Sequence, residues 1–192
     1  MSIPIFSIFC IDFRYDNLTA DFFQEIGLTN LYFAATAAGA ALPVGYKCSC
    51  YNICKKSNCK KNKCDPNNKD MALLRKNLVK NLEIALTLQP ITEIFLLNHQ
   101  DCGAIKAFLG CSGYPLTLGA DNAKEIEINE SILKYAKKYM SKKFKNKTIR
   151  LGLIDINGTT AEYNTVTNVW TNIYTGEGTN PLGLWYNYDF NN

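Results

Sequence analysis

Histidine is nearly absent: the 192-residue chain has one, His99. That excludes any mechanism needing two imidazoles from one chain. Long apolar runs are missing as well. The longest uncharged stretch, residues 26–46, is broken by Gly27, Asn30, Gly39, Pro43 and Gly45, so it reads as a strand and a loop and not as a membrane span. The apolar start, residues 1–11, lacks the basic flank and the small-residue cleavage site of a secretory signal, so a cytoplasmic location is expected. There is little excess charge: 21 Lys+Arg against 17 Asp+Glu leave +4. With 47% apolar and 20% charged residues, the composition is that of a single folded domain spanning residues 1–192.

What is present is unevenly distributed. Residues 46–69 hold seven lysines and one acid, Asp65, a local sum of +6 that leaves −2 for the rest of the chain. The body is therefore not basic, and a nucleic-acid partner is not expected. The same stretch holds five of the eight cysteines: Cys48, Cys50, Cys54, Cys59 and Cys64. It breaks every periodicity and reads as an insertion. The other three cysteines are Cys10, Cys102 and Cys111. In a reducing compartment, metal binding is a better reading of such thiols than a disulfide framework.

Strand and helix patterns alternate along the body. Apolar runs at residues 3–11, 31–36, 92–98 and 149–156 read as buried strands. Helical spacing predicts helices over 17–26, 70–88, 103–110 and 122–143, the second capped by Asp70 and carrying Leu74, Leu78, Leu82 and Leu86 on one face. Residues 37–43 read as a small-residue loop. Asn157-Gly158 predicts a hairpin with residues 160–166 returning antiparallel. Residues 167–192 form an aromatic tail expected to cover the body or a partner subunit. The alternation implies an α/β fold, a mostly parallel β-sheet flanked by helices. In such sheets, ligands bind beyond the carboxyl ends of the strands, where Cys10 and His99 fall.

Two short segments carry the chemistry: Cys10-Ile11-Asp12-Phe13-Arg14 and His99-Gln100-Asp101-Cys102-Gly103. Thiolate and imidazole are ligands that zinc prefers, and three of them leave one tetrahedral position open, as at a catalytic site. Each residue alone has an ordinary reading: a core cysteine, a surface ion pair, a histidine that is no ligand. The two segments in this order, at strand ends, favour a zinc site.

C-x-D-x-R followed downstream by H-x-x-C-G resembles the β-class carbonic anhydrases. Residues 31–42, 74–102 and 151–158 are similar to further parts of that family, although Thr36-Ala37 stands where the family usually has Arg-Asn. The forms C-I-D-F-R and H-x-D-C-G-A resemble a little-characterised branch of it. The resemblance implies that Cys10, His99 and Cys102 bind a catalytic zinc, and that Asp12 and Arg14 form a catalytic dyad. It implies that Asp12 accepts from zinc-bound water or, in a closed form, becomes the fourth ligand. Gly103 would leave room for substrate, and its helix start would face an anionic product.

The implied activity is reversible hydration of carbon dioxide to bicarbonate. Alternatives are hydrolysis of carbonyl sulfide or carbon disulfide on the same zinc, or a non-catalytic zinc-stabilised module. The implied assembly is a homodimer or higher even oligomer. Phe13 stands where the family has a small residue, and the nine residues before Cys10 are too few for its N-terminal helices, whose contact the aromatic tail is expected to replace. For the five loop cysteines, a second, structural zinc, disulfides and free thiols all stay open, and the odd count leaves one to pair with Cys111 or another chain.

Overall fold

A computed structural model describes residues 4–46, 68–110, 122–155 and 158–174. Cys48, Cys50, Cys54, Cys59, Cys64 and Cys111 lie outside the described residues, as do the aromatic residues beyond position 174. Among the described residues six strands form one sheet: β1 (Ile5–Phe9), β2 (Tyr32–Thr36), β3 (Glu93–His99), β4 (Thr148–Ile154), β5 (Thr160–Asn164) and β6 (Val169–Tyr174). Their spatial order is β2-β1-β3-β4-β5-β6. The first four are mutually parallel, and β5 and β6 extend the edge antiparallel. Among the described residues the helices of eight or more residues are α1 (Asp16–Glu25), α2 (Lys69–Leu88), α3 (Gly103–Gly110) and α4 (Asn122–Lys143). Among the described residues no helix is long and apolar enough to cross a membrane.

Burial on both faces explains why the parallel strands read as continuous apolar runs. On one face Ile5, Phe95, Leu97 and Ile154 pack with Phe22 and Phe23 of α1. On the other, Phe6, Ile8, Ile94, Leu96, Leu151 and Leu153 pack with Leu78 and Leu82 of α2 and with Ile132, Ala136 and Met140 of α4. Gly152 is required at the centre of β4. A Cβ there would lie 2.7 Å from Leu97 and 2.8 Å from the Phe95 ring. Gly27 ends α1 with φ 74°, and the Leu28 and Gly27 amides donate to the Phe23 and Gln24 carbonyls in a Schellman closure.

Three expectations change. The cap of α2 is Asn68, whose side chain accepts from the Met71 amide at 3.0 Å, and not Asp70, which sits in the first turn. Both residue types cap helices, so residue type alone did not choose between them. The small-residue loop is shorter than expected, because residues 42–46 are helical. The tail begins with strand β6: the Asn164 carboxamide accepts from the Val166 and Thr167 amides and turns the chain back. Trp170 is then buried against Tyr163, ring centroids 4.9 Å apart, so this part of the tail covers the body.

Candidate metal centre

Cys10 directly follows β1, His99 is the last residue of β3, and Cys102 precedes α3. Because β1 and β3 are parallel neighbours, their carboxyl ends open side by side. One Sγ or imidazole nitrogen from each of the three residues lies within 4.8 Å of the others, and all three residues are buried. The two sulfurs are 3.8 Å apart.

The imidazole is oriented by its surroundings. His99 Nδ1 is 2.6 Å from the Gln100 carbonyl, which only accepts, so Nδ1 carries the proton. Nε2 then keeps its lone pair, is buried, and has no hydrogen-bond partner among the described residues. Tyr15 packs against the imidazole, ring centroids 4.0 Å apart and planes tilted by 33°, and donates its hydroxyl to the same Gln100 carbonyl at 2.9 Å.

The cysteine pair is electrostatically uneven. The thiol of Cys102 hydrogen-bonds to Cys10 and, against the effect of burial, brings the Cys10 thiol well down from its usual range. The Cys10 sulfur and burial together push the Cys102 thiol up. Thiolate is the ligand form, so a divalent cation bound here would displace protons from the pair.

Asp12 caps the short 3-10 turn Phe13–Tyr15. Arg14 donates from Nε to Asp12 Oδ1 at 2.9 Å and from Nη2 to Oδ2 at 2.6 Å, a forked pair that takes both carboxylate oxygens. These bonds hold the Asp12 carboxyl below its usual range, against the effect of burial. Asp12 Oδ2 lies 3.9 Å from His99 Nε2. Arg14 also reaches Asp101, from Nη1 to Oδ2 at 2.8 Å and from Nη2 to the carbonyl at 3.0 Å.

Gly103 opens α3 and is exposed, and a Cβ there would meet nothing within 4 Å. The room it leaves is open space rather than a crowded cleft. The small-residue loop that carries Gly39 and Ala41 is fixed from behind. Gly39 has φ 79°, and a Cβ on it would lie 2.9 Å from Leu42 Cβ. The Ala41 amide donates to Asn98 Oδ1 at 3.0 Å, and Asn98 Nδ2 donates to Asn129 Oδ1 of α4 at 2.9 Å.

Four residues near the centre drew no role from sequence reasoning: Tyr15, Asp101, Lys106 and Glu125. Lys106 contacts the Asp101 carboxylate. Burial pushes the Lys106 ammonium down and the Glu125 carboxyl up. Asp101 stood inside the second segment, which was a signal. Nothing in the sequence pointed to Lys106 or Glu125.

No protein-family model and no curated protein sequence matches the chain. Among solved structures it is similar to the β-carbonic anhydrase CafA of Aspergillus fumigatus, with 13% identity and TM-score 0.41 over 85% of this chain and 76% of that one. It is likewise similar to a tetrameric β-carbonic anhydrase of Sordaria macrospora, with 15% identity and TM-score 0.41 over 84% and 81%. Likeness at this level concerns the course of the chain and brings no residue role with it.

Proposed function

We propose that Cys10, His99 and Cys102 hold a zinc ion and that the protein catalyses reversible hydration of carbon dioxide to bicarbonate. The observation that carries this reading is the convergence of three buried soft and borderline ligand atoms beside a carboxylate locked by an arginine. The donors suit zinc. Two sulfurs on one tetrahedral zinc are about 3.8 Å apart, and the sulfurs here are separated by 3.8 Å. His99 offers an unpartnered Nε2 while its Nδ1 is tied to a carbonyl, which fixes the ring for coordination.

When bound, zinc supplies a water acidified enough to act as a nucleophile at neutral pH. The chain's own residues do the rest. Asp12, kept ionised by Arg14, is an obligate hydrogen-bond acceptor beside the ligand atoms and orients a donor placed at the fourth position. The start of α3 at Gly103 presents backbone N–H groups to an anionic product. His99 serves as a ligand, so protons leave by another route, such as buffer or carboxylates.

Metal analysis with stopped-flow hydration tests the proposal. The expected result is bound zinc and a hydration rate above buffer that disappears on metal removal. Zinc with no rate above buffer overturns the activity. Sulfide release from carbonyl sulfide or carbon disulfide in place of hydration moves the assignment to those substrates. The same metal count tests a second, structural zinc on four of Cys48, Cys50, Cys54, Cys59 and Cys64: about two zinc per chain favours it, and about one leaves those thiols to disulfides or to the free state.

We also propose an even oligomer with Ile11 and Phe13 at its contact. These apolar side chains flank Asp12 and are 63% and 84% exposed. Phe13→Asp is expected to shift the sedimenting species toward the monomer.

A further inference from the structure

Asp101 has no part in the reading above, yet it is engaged on every side. It is buried, with φ 55°, a conformation uncommon for a residue with a side chain and best tolerated by Asn and Asp. Its Oδ2 and its carbonyl accept from Arg14, its other carboxylate oxygen meets Lys106, and its amide donates to Glu125 Oε1 at 2.5 Å. It is carried by the turn that also carries His99 and Cys102. Arg14 is carried by the segment that carries Cys10. The Arg14–Asp101 contact therefore joins the two ligand-bearing segments, 87 residues apart in sequence.

The other half of Arg14 holds Asp12. With both oxygens hydrogen-bonded to Arg14, the Asp12 carboxylate is held where the guanidinium holds it, although one oxygen is only 3.9 Å from His99 Nε2. Bound to Asp12 alone, the guanidinium would move with it. Bound also to Asp101, it is fixed in the frame of the ligands. Lys106 balances the second carboxylate, so Arg14 is shared between the two and not drawn wholly to Asp101.

We propose that Asp101 is a positioning residue that anchors Arg14 from the His99–Cys102 turn, so that Arg14 holds Asp12 off the fourth coordination position. The proposal rests on the metal-site reading but not on the identity of the substrate.

The test uses the full chain loaded with cobalt(II) and titrated with azide, read by its visible spectrum. Azide enters only an open position. The wild type is expected to show a saturable shift. Asp101→Asn keeps the backbone preference and one acceptor oxygen but removes the charge, so it is expected to weaken azide binding at least ~10-fold as Asp12 takes the position. Asp12→Asn combined with Asp101→Asn is expected to restore it, which a merely structural role for Asp101 would not do. The proposal is overturned if Asp101→Asn binds azide like the wild type, if the double variant stays silent, or if the wild type takes up none. Should Asp101→Asn not fold, Arg14→Lys, which keeps the charge but loses the fork, must show the same loss and the same rescue by Asp12→Asn. Absent hydration with an intact azide response would remove the carbon dioxide reading and leave this one standing.

Discussion

Two arginines in this molecule each stand between two carboxylates. Arg150 on β4 binds Glu162 of β5 through two 2.9 Å hydrogen bonds and Glu93 of β3 at 3.4 Å, and lies over the Phe95 ring. Arg14 binds Asp12 and Asp101. The side chains are similarly exposed, 26% and 20%, so burial does not separate them. Their settings do. The partners of Arg150 sit on strands whose register is already set by backbone ladders, Phe95 facing Arg150 and Gly152 facing Glu162. The partners of Arg14 sit on a 3-10 turn and on a strand-to-helix turn, where no ladder acts. Arg150 repeats a constraint that exists without it, whereas Arg14 is itself the constraint.

The comparison is broken most completely at the ligands. Cys102→Ser is expected to abolish hydration and to lower the bound zinc by about one per chain, and a chelator is expected to lower the melting temperature of the wild type more than that of this variant. Metal analysis and thermal unfolding check both. Next comes the direct contrast between the arginines. Arg14→Ala is expected to lower the hydration rate about 10- to 100-fold, while Arg150→Ala stays within about twofold. Equal losses in stopped-flow assays would erase the distinction.

A pH measurement sharpens it further. Because Arg14 depresses the folded-state pKa of Asp12, this pair stabilises the fold fully above the ordinary carboxylate range and loses that contribution as pH falls through the depressed value. Removing Arg14 lets the Asp12 carboxyl rise toward the ordinary carboxylate range. Acid unfolding of Arg14→Ala is therefore expected to begin at higher pH than in the wild type, followed by circular dichroism. The smallest effect is the stability change in Arg150→Ala, about 0.5–1 kcal/mol by urea unfolding at neutral pH, as for a partly exposed ion pair.

Local patterns were the most legible part of the chain. The helices at 103–110 and 122–143 have the boundaries that spacing predicts, and the strand cores fall where the apolar runs do. Hydrophobic periodicity reports which side of an element is covered, and here both faces of the parallel strands are covered. Strand β6 was obscured because an aromatic run that needs cover and a strand that provides cover have the same composition. Its decisive signal was the Asn164 turn, where one side chain accepts from two amides.

The candidate centre divides in the same way. Cys10, His99 and Cys102 are legible because soft ligands at strand ends are chemically conspicuous in one dimension. The positions of Asp101, Lys106 and Glu125 around Arg14 are not. They depend on a left-handed residue at 101 and on a long-range approach that no local pattern encodes. The sequence by itself determined an α/β sheet, a mostly neutral body with a basic segment at residues 46–69, and the residue types able to hold a metal. Only the tertiary structure decided that Arg14 faces two carboxylates rather than one. That choice is made where two strand ends meet, because hydrogen bonds between loops act over a few ångströms in space whatever their distance along the chain.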